Sequence, residues 1–225
     1  MKIINVAIDG PGGAGKSTVA RALAAKYGFA YVDTGAMYRT IGLAVQRAGF
    51  TPGDVPEVLG LLKVLNMGLE YDGEGTQRML LDGEDVSRQI RMPEISGLAS
   101  AVSAIPEVRS YLLETQRNLA RTRSVIMDGR DIGTVVLPQA NVKVFLTALP
   151  EVRARRRWKE LQEKGTPQPF EDVQREMNER DERDSNRPVA PLRPAEDSVL
   201  VDSTDLSFEQ VVAVLSSLID RKLAE

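Results

Sequence analysis

The residues from Ile3 to Thr18, IINVAIDGPGGAGKST, restrict the fold of this chain more than any other stretch. Ile3–Gly10 is apolar without alternation until Asp9, the pattern of a strand buried on both faces. From Ser17 to Tyr27, Val19, Ala20, Leu23 and Ala24 recur at helical spacing, and Gly28 stands where a helix is capped. The loop between them reads Gly10-x-x-x-x-Gly15-Lys16-Ser17, a phosphate-binding pattern in its confirming context of strand before and helix after. Small residues let successive backbone N–H groups converge on phosphate oxygens, and the helix start adds the positive end of its dipole. Gly10, Pro11, Gly12, Gly13, Ala14, Gly15, Lys16, Ser17 and Thr18 are therefore expected to hold a nucleoside triphosphate. Lys16 would reach the β- and γ-phosphates, and the Ser17 hydroxyl would ligand Mg²⁺.

The same theme repeats along the chain. Short apolar runs recur at FAYVDTG, TRSVIMDGRD, VKVFLTA and DSVLVDST, with helical stretches between them, among them Ala99 to Ala120 and Phe208 to Leu223. Strands alternating with helices predict an α/β chain: a three-layer P-loop fold around a five-stranded parallel sheet. Asp9, Asp33, Asp128, Thr147 and Asp202 all end predicted strands, at the carboxyl edge where open α/β sheets bind ligands. For Asp202 an ordinary turn position is the better reading. Gly68 to Gln89 breaks the theme with two Asp-Gly turn signals and short alternating runs, which predicts a small antiparallel β insert.

Two absences narrow the chemistry. The chain has no cysteine and no histidine, which excludes disulfides, thiolate nucleophiles, imidazole bases and His or Cys metal sites. Lysine, arginine, carboxylates, hydroxyls and backbone amides remain, a set suited to phosphate work. The net charge of −3 gives no basis for a nucleic-acid coat. No apolar run approaches the roughly 18 residues of a membrane span, and the opening MKIINVAIDG is too short in its apolar part for a signal peptide. A cytoplasmic monomer is expected, without nucleic-acid or membrane partners.

Which phosphate chemistry is meant depends on the arginines. Arg39 and Arg130 each follow a predicted strand end, and Arg109 lies in PEVRSYL. Between Glu151 and Arg187 stand ten basic and ten acidic residues, a balance that suits a helical hairpin laced by ion pairs rather than a nucleic-acid groove. Arg180, Asp184 and Arg187 share one helical face by spacing. An arginine-rich segment beside a P-loop fits a small-molecule kinase, whose lid excludes water. No asparagine is followed by lysine, so the Asn-Lys-x-Asp signature of a guanine-nucleotide switch is missing. A regulatory nucleotide-binding protein remains the alternative of a different class.

The segments IDGPGGAGKST, VDTGAMYR, LDGEDVS, SAIPEVR, MDGRDIGTVVLP, LQEKG, RDERDSNRPVAPL and LVDST together resemble the bacterial-type cytidylate kinases, a family of P-loop nucleoside monophosphate kinases. The resemblance runs along essentially the whole chain. It implies a core of about residues 1–37, 98–150 and 188–225, a monophosphate-binding region with the β insert at about 38–97, and a lid at about 151–187. It implies that ATP, with Mg²⁺, is the phosphoryl donor and CMP or dCMP the acceptor. Thr34, Arg39, Arg130 and Arg187 would hold the acceptor phosphate, with Arg180 and Asp184 near its ribose. Ser100, Arg109 and Asp131 would read the cytosine, and Arg153 and Arg157 would reach ATP from the lid, although Arg155 and Arg156 are close rivals. Lys16, Arg130 and Arg187 would carry the transfer itself. Asp128 is read either as orienting Mg²⁺ through water or as a turn cap. Other acceptors (UMP, AMP or shikimate) stay open on the residues alone.

Overall fold

The structure, a computed structural model, describes residues 2–73 and 75–225. Its elements follow in order as β1 (Asn5–Asp9), α1 (Lys16–Tyr27), β2 (Ala30–Asp33), α2 (Thr34–Arg47) and α3 (Val55–Leu62). Next come the short strands β3 (Met67–Tyr71), β4 (Gln77–Leu81) and β5 (Glu84–Asp85). The helices α4 (Pro93–Val102) and α5 (Pro106–Thr122) lead to β6 (Val125–Gly129) and β7 (Val142–Thr147). The chain closes with α6 (Pro150–Glu163), α7 (Phe170–Asn186), β8 (Val199–Asp202) and α8 (Phe208–Ala224).

Five strands form one parallel sheet in the order β2-β6-β1-β7-β8. The apolar runs lie inside it because helices cover both faces. Ile4, Val6, Ile8, Val144 and Leu146 pack with Val19, Leu23, Leu215 and Ile219 of α1 and α8. Ala7, Val32, Val125 and Met127 pack on the other face with Ala120 of α5, Ile132 and Val136. The expected five-stranded, three-layer α/β arrangement is therefore present. Register brings Asp33 opposite Asp128, and Asp9 opposite Gly129 and Phe145, so the acidic strand ends form one row at the carboxyl edge.

The β insert is a three-stranded antiparallel sheet, β3-β4-β5, whose last two strands are joined through Asp82 and Gly83. It shares a second core with α2, α3, α4 and α5, where Met37, Ile41, Met79, Ile95 and Leu112 are fully buried. Gln77 ties the insert to the main sheet: its Oε1 accepts from the Asp33 N–H at 2.7 Å, and its Nε2 donates to the Asp33 carbonyl.

One predicted element differs. Ala99 to Ala120 is not one helix, because α4 stops at Val102 and α5 restarts at Pro106. A proline keeps the preceding residue out of the helical region, and Ile105 is extended at φ −80°, ψ 117°. Among the described residues no helix is long and apolar enough to cross a membrane.

Candidate active site

The loop after β1 begins with a conformation only glycine supplies. Gly10 has φ +146°, and a side chain there would put its first carbon 1.9 Å from the Leu146 carbonyl oxygen. Gly15 precedes α1 in a left-handed conformation, with no side-chain cap and no acidic residue in the first turn. The first N–H groups of α1 are thus left for an external anion. Lys16, the first residue of that helix, is buried, and its Nζ donates to the Pro11 carbonyl at 2.7 Å. Burial, then the Arg130 guanidinium, push its ammonium down to about 7. An incoming phosphate would reverse that shift, since opposite charge favours the protonated form.

Ser17 donates its hydroxyl proton to Asp128 Oδ2 at 2.7 Å, and Tyr31 donates to Asp128 Oδ1 at 3.0 Å. Asp128 is buried, and burial, then neighbouring Asp33, raise its pKa. A hydroxyl on a buried carboxylate beside a phosphate loop offers hard oxygen donors of the kind Mg²⁺ takes. Among the described residues no three His, Cys, Asp or Glu side chains converge as a metal cage. The set therefore fits an ion held largely through nucleotide phosphates.

Two cavities meet at Lys16. One, of about 410 Å³, lies against Gly13, Gly15, Lys16, Ser17, Thr18 and Arg21, with Arg156, Arg157 and Lys164 from the α6 side. The other, of about 520 Å³, runs from Gly12 and Lys16 past Thr34, Arg39 and Arg130 to Ser100, Arg109 and Asp131, and is covered by α7. All the predicted acceptor-side residues, including Arg180, Asp184 and Arg187, line this second cavity although they come from separate parts of the chain.

Their order within it is set by ion pairs. Asp184 of α7 accepts from Ser100 Oγ at 3.1 Å and from Arg130 Nε at 3.1 Å, with Arg180 Nε 3.8 Å away. Burial would raise the Asp184 pKa, but Arg130, Arg180 and Arg187 outweigh it and hold it below the usual range. Asp33 is likewise lowered against its burial by Arg39 and Arg91, and Arg39 Nη2 stands 2.9 Å from it. Thr34, the first residue of α2, donates to the Asp128 carbonyl at 2.7 Å. Arg109 and Arg187 both pair with Asp131, and the Arg109 guanidinium lies over the Tyr38 ring, 5.5 Å from its centroid.

The Arg130–Asp131 turn is itself pinned. Asp9 accepts from the Ile132 N–H at 2.8 Å and the Gly133 N–H at 2.7 Å, at the head of a wide π-helical turn, Ile132–Val136. Arg117 of α5 closes the other end on the Val135 and Val136 carbonyls. Burial raises the Asp9 carboxyl to about 6 despite these two bonds.

Of the two arginines predicted to reach ATP from the lid, Arg157 lines both cavities. Arg153 lies behind the loop: its Nη1 donates to the Gly12 carbonyl at 3.0 Å and pairs with Asp181 at 2.5 Å, and its Nε donates to the Ala148 carbonyl. Gly13 is pressed against the same backbone, where a first side-chain carbon would come 2.7 Å from the Arg153 carbonyl oxygen. Arg156 faces the smaller cavity and bonds Ser203, so the position passed over as a rival is the one that joins Arg157 on that wall. Among the described residues the Asp202 carboxylate accepts hydrogen bonds from Thr204 alone, in an exposed turn, as expected. Sequence reasoning missed Tyr31, which looks like one more apolar strand residue. It also missed Gln77 and Ser103, whose partners are distant in the chain.

A phosphate loop at the carboxyl edge of a parallel sheet, facing an arginine-lined cleft under a helical hairpin, defines a P-loop phosphotransferase. The comparisons agree. A model of the cytidylate kinase family matches residues 6–221, and the chain belongs to that family. A cytidylate kinase of Caldicellulosiruptor saccharolyticus is 50% identical over 94% of this chain and 93% of its own length. One from Caldanaerobacter subterraneus is 52% identical over 93% of this chain and 91% of its own. One from Leuconostoc mesenteroides is 45% identical over the whole of both chains. The crystal structure of an uncharacterized protein from Eubacterium ventriosum shares the fold, with a TM-score of 0.54 at 12% identity, covering 96% of this chain and 98% of that one.

Proposed function

We propose that this protein is an ATP-dependent cytidylate kinase that moves the γ-phosphoryl group of ATP to CMP or dCMP, giving ADP and CDP or dCDP. The observation that carries the reading is the meeting of two cavities at Lys16, one walled by the phosphate loop and the other by arginines and, farther on, Ser100, Arg109 and Asp131. The donor triphosphate lies in the loop, with Arg157 and Arg156 reaching it from the hairpin of α6 and α7, which acts as the lid. The acceptor phosphate lies among Arg39, Arg130, Arg187 and the Thr34 hydroxyl, its ribose faces Arg180 and Asp184, and its cytosine meets Ser100, Arg109 and Asp131. Cytosine offers a 4-amino donor and ring acceptors, which a carboxylate or hydroxyl and a guanidinium complement.

The chemistry needs no histidine. A phosphate monoester is already largely dianionic at neutral pH, its second pKa lying near 6, so the attacking oxygen needs no general base. The protein aligns the two phosphates, spreads the developing charge over Lys16 and the arginines, and excludes water beneath the lid. Ser17 and Asp128 would hold Mg²⁺ beside the donor phosphates, where it would supply further charge neutralisation. The protein acts as a soluble monomer.

The test is ADP release from ATP and Mg²⁺ across CMP, dCMP, UMP, AMP, dTMP and shikimate. Strong turnover with CMP and dCMP alone supports the reading. Turnover with a different acceptor overturns the base site but keeps the kinase, and hydrolysis indifferent to every acceptor points to a nucleotide switch instead.

A further inference from the structure

Ser103 sits at the break between α4 and α5. Because α4 ends before it, its carbonyl has no helical partner, and Arg109 Nη1 donates to that oxygen at 3.2 Å. Its hydroxyl donates to the Ser100 carbonyl at 2.7 Å and accepts from Arg187 Nη1 at 3.1 Å. The two guanidiniums meet again at Asp131, which bonds Arg109 through Oδ2 and lies 3.5 Å from Arg187 Nη2 through Oδ1. Ser103, Arg187, Asp131 and Arg109 thus form a closed ring, every member of it buried and lining the larger cavity.

Within that ring Arg187 is held on two edges and open on the third. Nε donates to the Ala190 carbonyl at 2.7 Å and Nη1 to Ser103, while Nη2 is buried and makes no hydrogen bond among the described residues. A buried donor without an acceptor is costly, so its position suits a ligand oxygen. The direction in which it points depends on Ser103 together with the Ala190 carbonyl, since the Asp131 contact is a loose one. We infer that Ser103 is an acceptor-positioning residue: through its hydroxyl and its carbonyl it fixes the spacing between the arginine facing the acceptor phosphate and the arginine facing the base. The inference rests on the proposed cytidylate kinase reading for the identity of those two ends.

Steady-state kinetics of the full chain test it with Ser103→Ala, which removes only the hydroxyl, and Ser103→Thr, which keeps it. A hydrogen bond to a charged group is worth about a tenfold change in binding at the low end of its range. In Ser103→Ala the KM for CMP should therefore rise roughly tenfold, with kcat and the KM for ATP within about twofold, and Ser103→Thr should recover most of the loss. An unchanged KM for CMP, an equal rise for both substrates, or a threonine variant as impaired as the alanine one overturns the inference. If the wild-type enzyme prefers another acceptor, the cytidylate reading fails first, and the same split is then read in the KM for that acceptor.

Discussion

The proposed donor and acceptor sides of this molecule are built by different means. The donor side is one contiguous loop that offers mostly backbone N–H groups, one lysine and one hydroxyl, held rigid by close approaches at Gly10 and Gly13. The acceptor side is a lattice of side chains from α2, α4, α5, the end of β6 and α7, in which each guanidinium is already matched to a carboxylate or a carbonyl. Backbone donors cannot be exchanged by point mutation, whereas a side-chain lattice can be retuned one residue at a time. The first arrangement suits a triphosphate common to many enzymes, and the second a particular acceptor.

Removing the lysine at which the two cavities meet should break the contrast most deeply. Lys16→Met is expected to lower kcat by about 10³-fold, the scale seen when a charge-stabilising donor is lost, with no loss of folded protein by thermal melting. On the acceptor side the geometry of the fork matters as well as its charge. Arg130→Lys keeps a cation but loses the planar pair of donors, so kcat/KM for CMP should fall roughly 10²-fold while the KM for ATP changes little. Near wild-type turnover in that variant would remove Arg130 from the transfer.

A third difference concerns pH. In the unfolded chain Lys16 titrates near 10.5, but in the fold burial and Arg130 push it down to about 7. Between those values the unfolded state holds the extra proton, so the stability of the ligand-free protein rises with pH, by up to about 1.4 kcal/mol per unit. Below about 7 both states are charged and the cost of burial stands in full. Denaturant titrations from pH 7 to 9 should show this slope in the wild type but not in Lys16→Met. The smallest effect is expected at Tyr31, which bonds Asp128 but itself lines neither cavity. Tyr31→Phe should raise the Mg²⁺ concentration for half-maximal activity severalfold and weaken the Mg²⁺-dependent stabilisation of the ATP complex in melting curves. Equal curves for the two proteins would show that Ser17 alone orients Asp128.

The same contrast explains what could be read from the sequence. The donor loop was legible because its function lies in residue types at fixed local spacing, and the parallel sheet because apolar runs and helical periods alternate. The row Asp9, Asp33 and Asp128 could be placed at one edge, but not the separate duties of its members: Asp9 bonds the 132–133 backbone, Asp33 caps α2 through the Ala36 N–H, and Asp128 receives Ser17 and Tyr31. The arginines stood out by position, but the acceptor-side roles entered only through family resemblance, since pairs such as Ser100 with Asp184 lie 84 positions apart. The break at Ser103 was visible in Pro106 yet was overridden by the apolar period that continues across it. Arg153 and Arg156 could not be told apart in a run of arginines because the difference is one of rotation about α6.

Asp184 has a consequence beyond its proposed place beside the ribose. With that carboxylate against Arg130 and Arg180, the cleft carries its own counter-anion, which ties the α6–α7 hairpin to the end of β6. Acceptor binding then meets guanidiniums whose charge is already partly offset rather than bare positive charge. Added salt should therefore weaken the acceptor less than it weakens the triphosphate, whose loop leads into a helix start with no side-chain cap and no acidic residue in its first turn. In a cell of fluctuating ionic strength, the enzyme's choice of acceptor would stay steadier than its hold on the donor.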